Sequence, residues 1–257
     1  MTKNELKLGV GICTRNRPDA LKKCYNQLVA FQNNNIFSNY DIFITDDGSE
    51  DKEQIAFLEE HKTICNWDDR ERVGIAKNKN RILRHFDSYD YIAIFEDDAY
   101  PMSARWFDLH IMASQISGIH HFNYVPHTVE GHRGMVFGIT PWKISTGEIV
   151  HVAQTQNITG VFLFYSKLVL QKVGGFDRRF GLYGFEHVEL SDRIRDPRIA
   201  LSPPGVGYPS LLECEQLIKW DDTIEATINS EEKDKIVAEQ RKIWDAIRED
   251  TFLYRHF

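Results

Sequence analysis

Three short polar stretches carry residue types able to do chemistry. Glu96-Asp97-Asp98 sets three carboxylates in a row, Asp46-Asp47-Gly48-Ser49 sets two beside a turn, and Thr14-Arg15-Asn16-Arg17 supplies a hydroxyl and two guanidinium groups. Side chains alternate along an extended segment, so Glu96 and Asp98 point one way and Asp97 the other. Two carboxylates that converge repel unless a proton or a cation sits between them. A divalent ion with oxygen ligands, Mn2+ or Mg2+, answers that repulsion and can also hold a diphosphate. The competing reading of the triplet is an acidic surface turn.

Each stretch directly follows an apolar, β-prone segment: Leu8–Cys13, Tyr40–Thr45 and Tyr91–Phe95. Amphipathic segments lie between them. Leu21, Cys24, Tyr25 and Leu28 fall on one helical stripe behind Pro18, Ile55 and Leu58 mark a second helix, and Ile75, Ile82 and Phe86 a third. This β-α-β-α-β order predicts right-handed crossovers and a mostly parallel sheet, with ligands bound beyond the carboxyl ends of its strands. The three polar stretches then share one edge, although more than eighty residues separate the first from the last.

Further along, helices are expected at Trp106–Ile116, Lys167–Val173 (stopped by Gly174-Gly175) and Glu186–Ile194, and a strand at Val161–Tyr165. Arg133–Ile139 and Glu148–Val152 read as strands paired around Thr140-Pro141, and residues 197–222 as loop. Gly160 stands before an apolar strand, where the missing side chain would let a ligand approach the backbone. Ser230 reads as the cap of a last helix striped with Ile236, Gln240, Ile243, Trp244 and Ile247. The expected organisation is a domain over residues 1–225 and a C-terminal helical extension over 226–257 packed on it.

The 257 residues are 42% hydrophobic and 27% charged, with a formal net charge of −7. That composition suits a globular chain and excludes collagenous or disordered ones. No apolar run reaches the roughly 20 residues of a spanning helix. Met1–Lys7 lacks an apolar signal core, so a cytoplasmic protein is expected. Cys13, Cys24, Cys65 and Cys214 form no metal-type pair and read as buried thiols. The acidic balance gives no support to nucleic-acid binding.

The sequence resembles the GT-A fold, family 2-like glycosyltransferases. Val10–Asp19 (VGICTRNRPD) is similar to the family's first strand and nucleotide-binding turn, and Asp41–Asp51 (DIFITDDGSED) to its VDDGSxD block. Gly74–Leu83 (GIAKNKNRIL) resembles GxxxARNxG, with Lys79-Asn80 in place of Arg-Asn. Phe95–Pro101 (FEDDAYP) resembles the DXD block, and Gly174–Arg193 (GGFDRRFGLYGFEHVELSDR) the acceptor segment GGFDExF…EDxxLxxR. The resemblance implies an α/β, Rossmann-like nucleotide-diphospho-sugar transferase fold: a mostly parallel central sheet flanked by helices, with a helical appendage.

The resemblance also implies sugar transfer, inverting and metal-dependent, from a nucleotide-diphosphate sugar of UDP type to a glycan or other hydroxyl-bearing acceptor; surface polysaccharide is the family's common setting. Thr14, Arg15 and Arg17 would line the nucleotide pocket, Asp47 would accept from a uracil-type N–H, and Asp46 would support it or reach the ribose. Lys77 and Lys79 would face base or phosphates, unless they are plain solvated charges. Asp98 is the first choice for metal, Glu96 its partner, and Asp97 reaches the ribose. Where the family has Glu-Asp this chain has Glu186-His187. Either can take the acceptor's proton; Glu186 is favoured because it keeps the carboxylate chemistry, while His187 holds the usual base position and would also serve as a metal ligand. The rival readings are a nucleotidyltransferase, disfavoured by the lack of a Gly-rich loop at Thr14–Arg17, and an inactive sugar-nucleotide-binding module, kept open by Glu186-His187.

Overall fold

The computed structural model describes residues 6–126, 136–199, 201, 207–224, 230–248, 250 and 252–257. Its central sheet has five strands in the order β2-β1-β3-β8-β5: β1 (Leu8–Thr14), β2 (Tyr40–Asp46), β3 (Tyr91–Glu96), β5 (His121–Asn123) and β8 (Phe162–Ser166). β1 pairs in parallel with β2 and β3, and only β8 runs against the other four. The sheet is therefore mostly parallel, as the alternation of strand and helix signals requires.

Alternate side chains of the strands feed two cores, one on each face. Leu8, Val10 and Ile12 of β1 meet Leu21, Cys24 and Leu28 of α1 (Pro18–Phe31) and Trp106, Phe107 and Ile111 of α4 (Trp106–Ser117). On the opposite face Ile92 and Ile94 of β3 and Leu163 and Tyr165 of β8 meet Ile82, Leu83 and Phe86 of α3 (Ile75–His85) and its C-cap. α5 (Lys167–Val173) and α6 (Glu186–Arg195) complete that second layer. α2 (Lys52–Glu60) starts where Asp51 accepts the Gln54 N–H at 2.9 Å. All four cysteines are free and buried.

Two smaller sheets were only partly foreseen. β6 (Val136–Lys143) pairs with β7 (Ile149–Thr155), as expected, but the turn falls at residues 144–148 and Thr140-Pro141 lies inside β6. Proline is accommodated there because β6 is an edge strand. The stretch expected as loop contains β9 (Tyr208–Leu211) on β7, α7 (Cys214–Leu217), and β10 (Ile218–Trp220) on β4 (Ala99–Pro101). Elements of three or four residues are too short to show a period, and their partners lie more than fifty residues away.

α8 (Ser230–Ile247) carries the expected apolar stripe, and Gln240 accepts the Gly181 N–H at 2.8 Å. The capping role expected of the Ser230 side chain falls outside the described residues. The segment after α8 returns to the second layer. Arg255 N–H donates to Val173 O and Arg255 O accepts from Gly175 N–H. This approach needs Gly174: its φ is +69°, and a Cβ there would stand 1.8 Å from the Arg255 carbonyl oxygen. Among the described residues no helix is long and apolar enough to cross a membrane.

Candidate active site

Sheet register carries the three polar stretches to one level. Thr14 stands opposite Asp46, and Cys13 opposite Glu96. The chain is pinned just beyond, where Asp47 N–H donates to Thr14 O and Asp97 N–H to Cys13 O, both at 3.1 Å. A cavity of about 670 Å³ opens at this edge. Thr14, Arg15, Arg17 and Asp47 line its β1–β2 side, Glu96 and Asp98 its floor, and Gly160, Glu186 and His187 the opposite wall.

Four residues expected in the cavity lie elsewhere. Asp46 is buried, its carboxylate accepting from the Ser49 N–H and hydroxyl and from Gln54 Nε2, so it holds the turn. Asp97, in the turn that follows β3, is fully buried and accepts the Thr14 hydroxyl at 2.7 Å while pairing with Arg17 Nη2 at 2.7 Å. Lys77 is exposed on the outer side of α3, about 200° around the helix from Lys79. Lys79 is fully buried beneath the cavity, donating to Glu96 at 2.8 Å, Glu186 at 3.0 Å and the Gly160 carbonyl at 3.2 Å. It is neither a solvated charge nor a cavity-lining one.

Lys79 belongs to a run of buried polar residues on α3. Asn78 donates to Thr45 O, Asn80 pairs with the Phe176 backbone through both its amide atoms, and Arg81 grips Asp69. Such a run reads as a solvated helix face by composition; only the strands below and α6 above turn it inward. Burial works against the Lys79 charge, but Glu96 and Glu186 outweigh it and hold the ammonium above the usual lysine range. Burial likewise works against Glu186 ionisation, and Lys79 and His187 outweigh it, holding that carboxyl well below the usual range.

His187 Nδ1 stands 3.3 Å from Glu186 Oε1, and its side chain is 16% exposed against 2% for Glu186. Phe185, which opens α6, sits in the left-handed region at φ +65°, a conformation costing roughly 1–2 kcal/mol for a residue with a Cβ. Its ring stacks on Trp244 of α8 at 5.4 Å, which offsets part of that strain. Gly160 sits at the meeting point: a Cβ there would stand 3.0 Å from His187 Nδ1, 3.1 Å from Glu96 Oε1 and 3.2 Å from Lys79 Nζ. The group that approaches this backbone is the site itself.

The carboxylates fit a hard divalent ion. Asp98 Oδ1 is buried and accepts no hydrogen bond, and Glu96, on the same face, also lines the cavity. Burial, with Glu96 nearby, pushes the Asp98 carboxyl up to about 6 against the pull of Arg17. Asp97, fully buried, is pushed up to about 7. Among the described residues no three His, Cys, Asp or Glu side chains converge into a complete metal cage.

Other expected roles resolve structurally. Arg193 pairs with Glu189 at 2.7 Å and donates to the Val173, Gly175 and Leu253 carbonyls, so it ties α6 to the returning C-terminal segment. Asp177 holds its turn with Arg179 and Arg255. His121 is buried between the Phe164 carbonyl and the Ser191 hydroxyl; His127 and His132 lie outside the described residues. Of the tryptophans, Trp220 reaches the cavity while Trp106 is core. Sequence reading missed Arg72, Asn78, Tyr183 and Lys233, which also line it. Lys233 lies over the Tyr183 ring at 4.8 Å. Asn78 and Tyr183 lie inside the quoted blocks Gly74–Leu83 and Gly174–Arg193, whereas Arg72 and Lys233 lie outside every such block.

Residues 9–110 match the profile of glycosyl transferase family 2. No curated protein matches the sequence at a significant level. Among solved structures, the chain is similar to a mannosyltransferase from Pyrobaculum calidifontis in complex with GDP-Man and Mn2+, at 13% identity, 74% of this chain, 52% of that one and a TM-score of 0.52. It is also similar to residues 1–349 of S. aureus TarS (14% identity, 96% and 74% covered, TM-score 0.51) and to GalNAc-T7 with UDP, GalNAc and Mn2+ (11%, 73% and 40%, 0.51). The chain thus spans about half the length of the mannosyltransferase and less of GalNAc-T7, and at these identities the likeness shows the fold. The chain has the GT-A glycosyltransferase fold, and within it residues 9–110 match the family 2 profile.

Proposed function

We propose that the protein transfers a sugar from a nucleotide-diphosphate donor, of UDP type, to an acceptor hydroxyl in a single inverting displacement. One observation carries this reading: Glu96 and Asp98, a carboxylate pair suited to a divalent ion, line the same cavity as Glu186 and His187, a pair suited to acid–base work. Nucleotide sugars or nucleotides with Mn2+ in two structures of the same fold support the choice of ligand. Arg15, Arg17 and Arg72 give the cavity mouth the positive charge a diphosphate needs. Asp47 supports the reading less directly, since its carboxylate already accepts the Val73 and Gly74 N–H groups.

The acceptor hydroxyl loses its proton as it attacks the anomeric carbon. His187 is the better base. Glu186, buried on Lys79, is too firmly ionised to draw a proton, and it accepts from His187 Nδ1–H, leaving Nε2 free to take one. A divalent ion on Asp98 and Glu96, when bound, supplies neutralisation of the departing diphosphate. The test is incubation with a panel of UDP- and GDP-sugars and Mn2+, with and without simple glycan acceptors. Nucleoside diphosphate release above the enzyme-free rate is the expected result, and an inverted anomeric centre in the product by NMR. Binding of donor without any release would make the chain an inactive module.

A further inference from the structure

Arg17 crosses the cavity floor to both aspartates that follow β3. Its Nη1 stands 3.1 Å from Asp98 Oδ2 and its Nη2 2.7 Å from Asp97 Oδ1, and the side chain remains 20% exposed to the cavity. Asp98 thus has one oxygen committed to an internal cation, while the other is buried and accepts nothing. A guanidinium and a divalent ion compete for the same carboxylate, because each repels the other. Among the described residues the protein's own donors are also too few for a closed cage, and Mn2+ or Mg2+ commonly completes its shell with substrate phosphate.

We propose that Arg17 is a built-in counter-ion for Asp98 that hands over to the donor's diphosphate, so that the divalent ion and the nucleotide load together. This rests on the reading above that the cavity takes a nucleotide-diphosphate sugar. The geometry suits a pivot. The Arg17 backbone N–H is fixed on Gln54 Oε1 at 2.7 Å, and Nη2 rests on Asp97, which Thr14 also holds. Only Nη1 has to leave Asp98, and its N–H groups can then donate charge-assisted bonds to a diphosphate oxygen. Until that happens, metal affinity is reduced to the fraction of molecules whose Asp98 is free. By linkage, each ligand raises the affinity of the other by the same factor.

The test measures binding of Mn2+ alone to the full chain by electron paramagnetic resonance, and binding of UDP or GDP at saturating Mn2+ by calorimetry. In Arg17→Ala, Mn2+ alone binds about tenfold tighter, whereas the nucleotide binds about tenfold weaker. Those opposite signs are what a merely structural arginine does not give. Arg17→Lys, which keeps the charge but cannot span both aspartates, falls between and carries the test if the alanine variant does not fold. Arg15→Gln removes the same charge from the same cavity and shifts Mn2+ affinity less than about threefold. Unchanged Mn2+ affinity in both Arg17 variants, or weakening of both ligands, overturns the handover while leaving the proposed function standing. Failure of the wild type to bind either nucleotide with Mn2+ overturns both.

Discussion

Glu186 and His187 are neighbours in the chain, yet their surroundings divide them. The carboxylate is sealed on Lys79 and the imidazole opens to the cavity, so under the proposed function a proton taken from an acceptor goes to the ring. His187→Ala should lower kcat by about 10²–10⁴-fold with little change in donor KM. Glu186→Gln, which keeps shape but loses the charge behind the ring, should cost less. Single-turnover kinetics on the two variants checks the order, and a larger loss in Glu186→Gln would make the carboxylate the base. Glu96 and Asp98 line the cavity and Asp97 does not, the split expected from three consecutive letters, although the chain turns at Asp97-Asp98 instead of running on extended. The burial of Lys79 was not readable, because its second partner arrives 107 residues later on another helix.

α3 packs a charged, amide-rich turn against a sheet, and its stability depends on that turn being fully paired. Lys79→Met keeps the volume and removes the charge, which leaves Glu186 buried without a counter-ion. The expected cost is about 3–5 kcal/mol, read as a lower urea midpoint, and Lys79→Met/Glu186→Gln should recover part of it because the two residues share one interaction. Additive losses would mean that the ammonium and carboxylate act independently. The same comparison shows which elements a sequence can announce. β1, β2 and β3 are fully or nearly fully apolar runs ending in polar turns, and α1 has a proline at its start and a clear stripe. β9 and β10 have only three or four residues each, and their existence depends on β7 and β4. Trp220, which reaches the cavity from β10, was therefore visible as a residue type but not as part of a wall.

For the whole molecule, buried histidines and buried aspartates pull acid stability in opposite directions. Burial depresses His110 and His121 to about 4, while in the unfolded chain both titrate near 6.5. Between those values the unfolded chain binds more protons at these two residues, so their contribution is full above about pH 6.5 and falls as the pH drops toward 4. Each histidine contributes a loss on the order of 3 kcal/mol. Asp97 and Asp98, pushed up to about 7 and about 6, act the other way, because the folded chain keeps their protons and gains stability as the pH falls. Thermal melts from pH 7.5 to 4.5 should therefore change little in the wild type, while His110→Phe should become progressively more stable than the wild type toward acid; parallel curves would mean that His110 is not held neutral by burial. Chain order has its own consequence. The strand ends that form the floor of the cavity are complete by Asp98, but the helix bearing the acid–base pair is tied through Arg193 to Leu253 and through Gly175 to Arg255. A ribosome delivers those anchors some 155 residues after the floor, so the nascent protein passes through a stage in which the pocket's base exists and its working wall is still untethered.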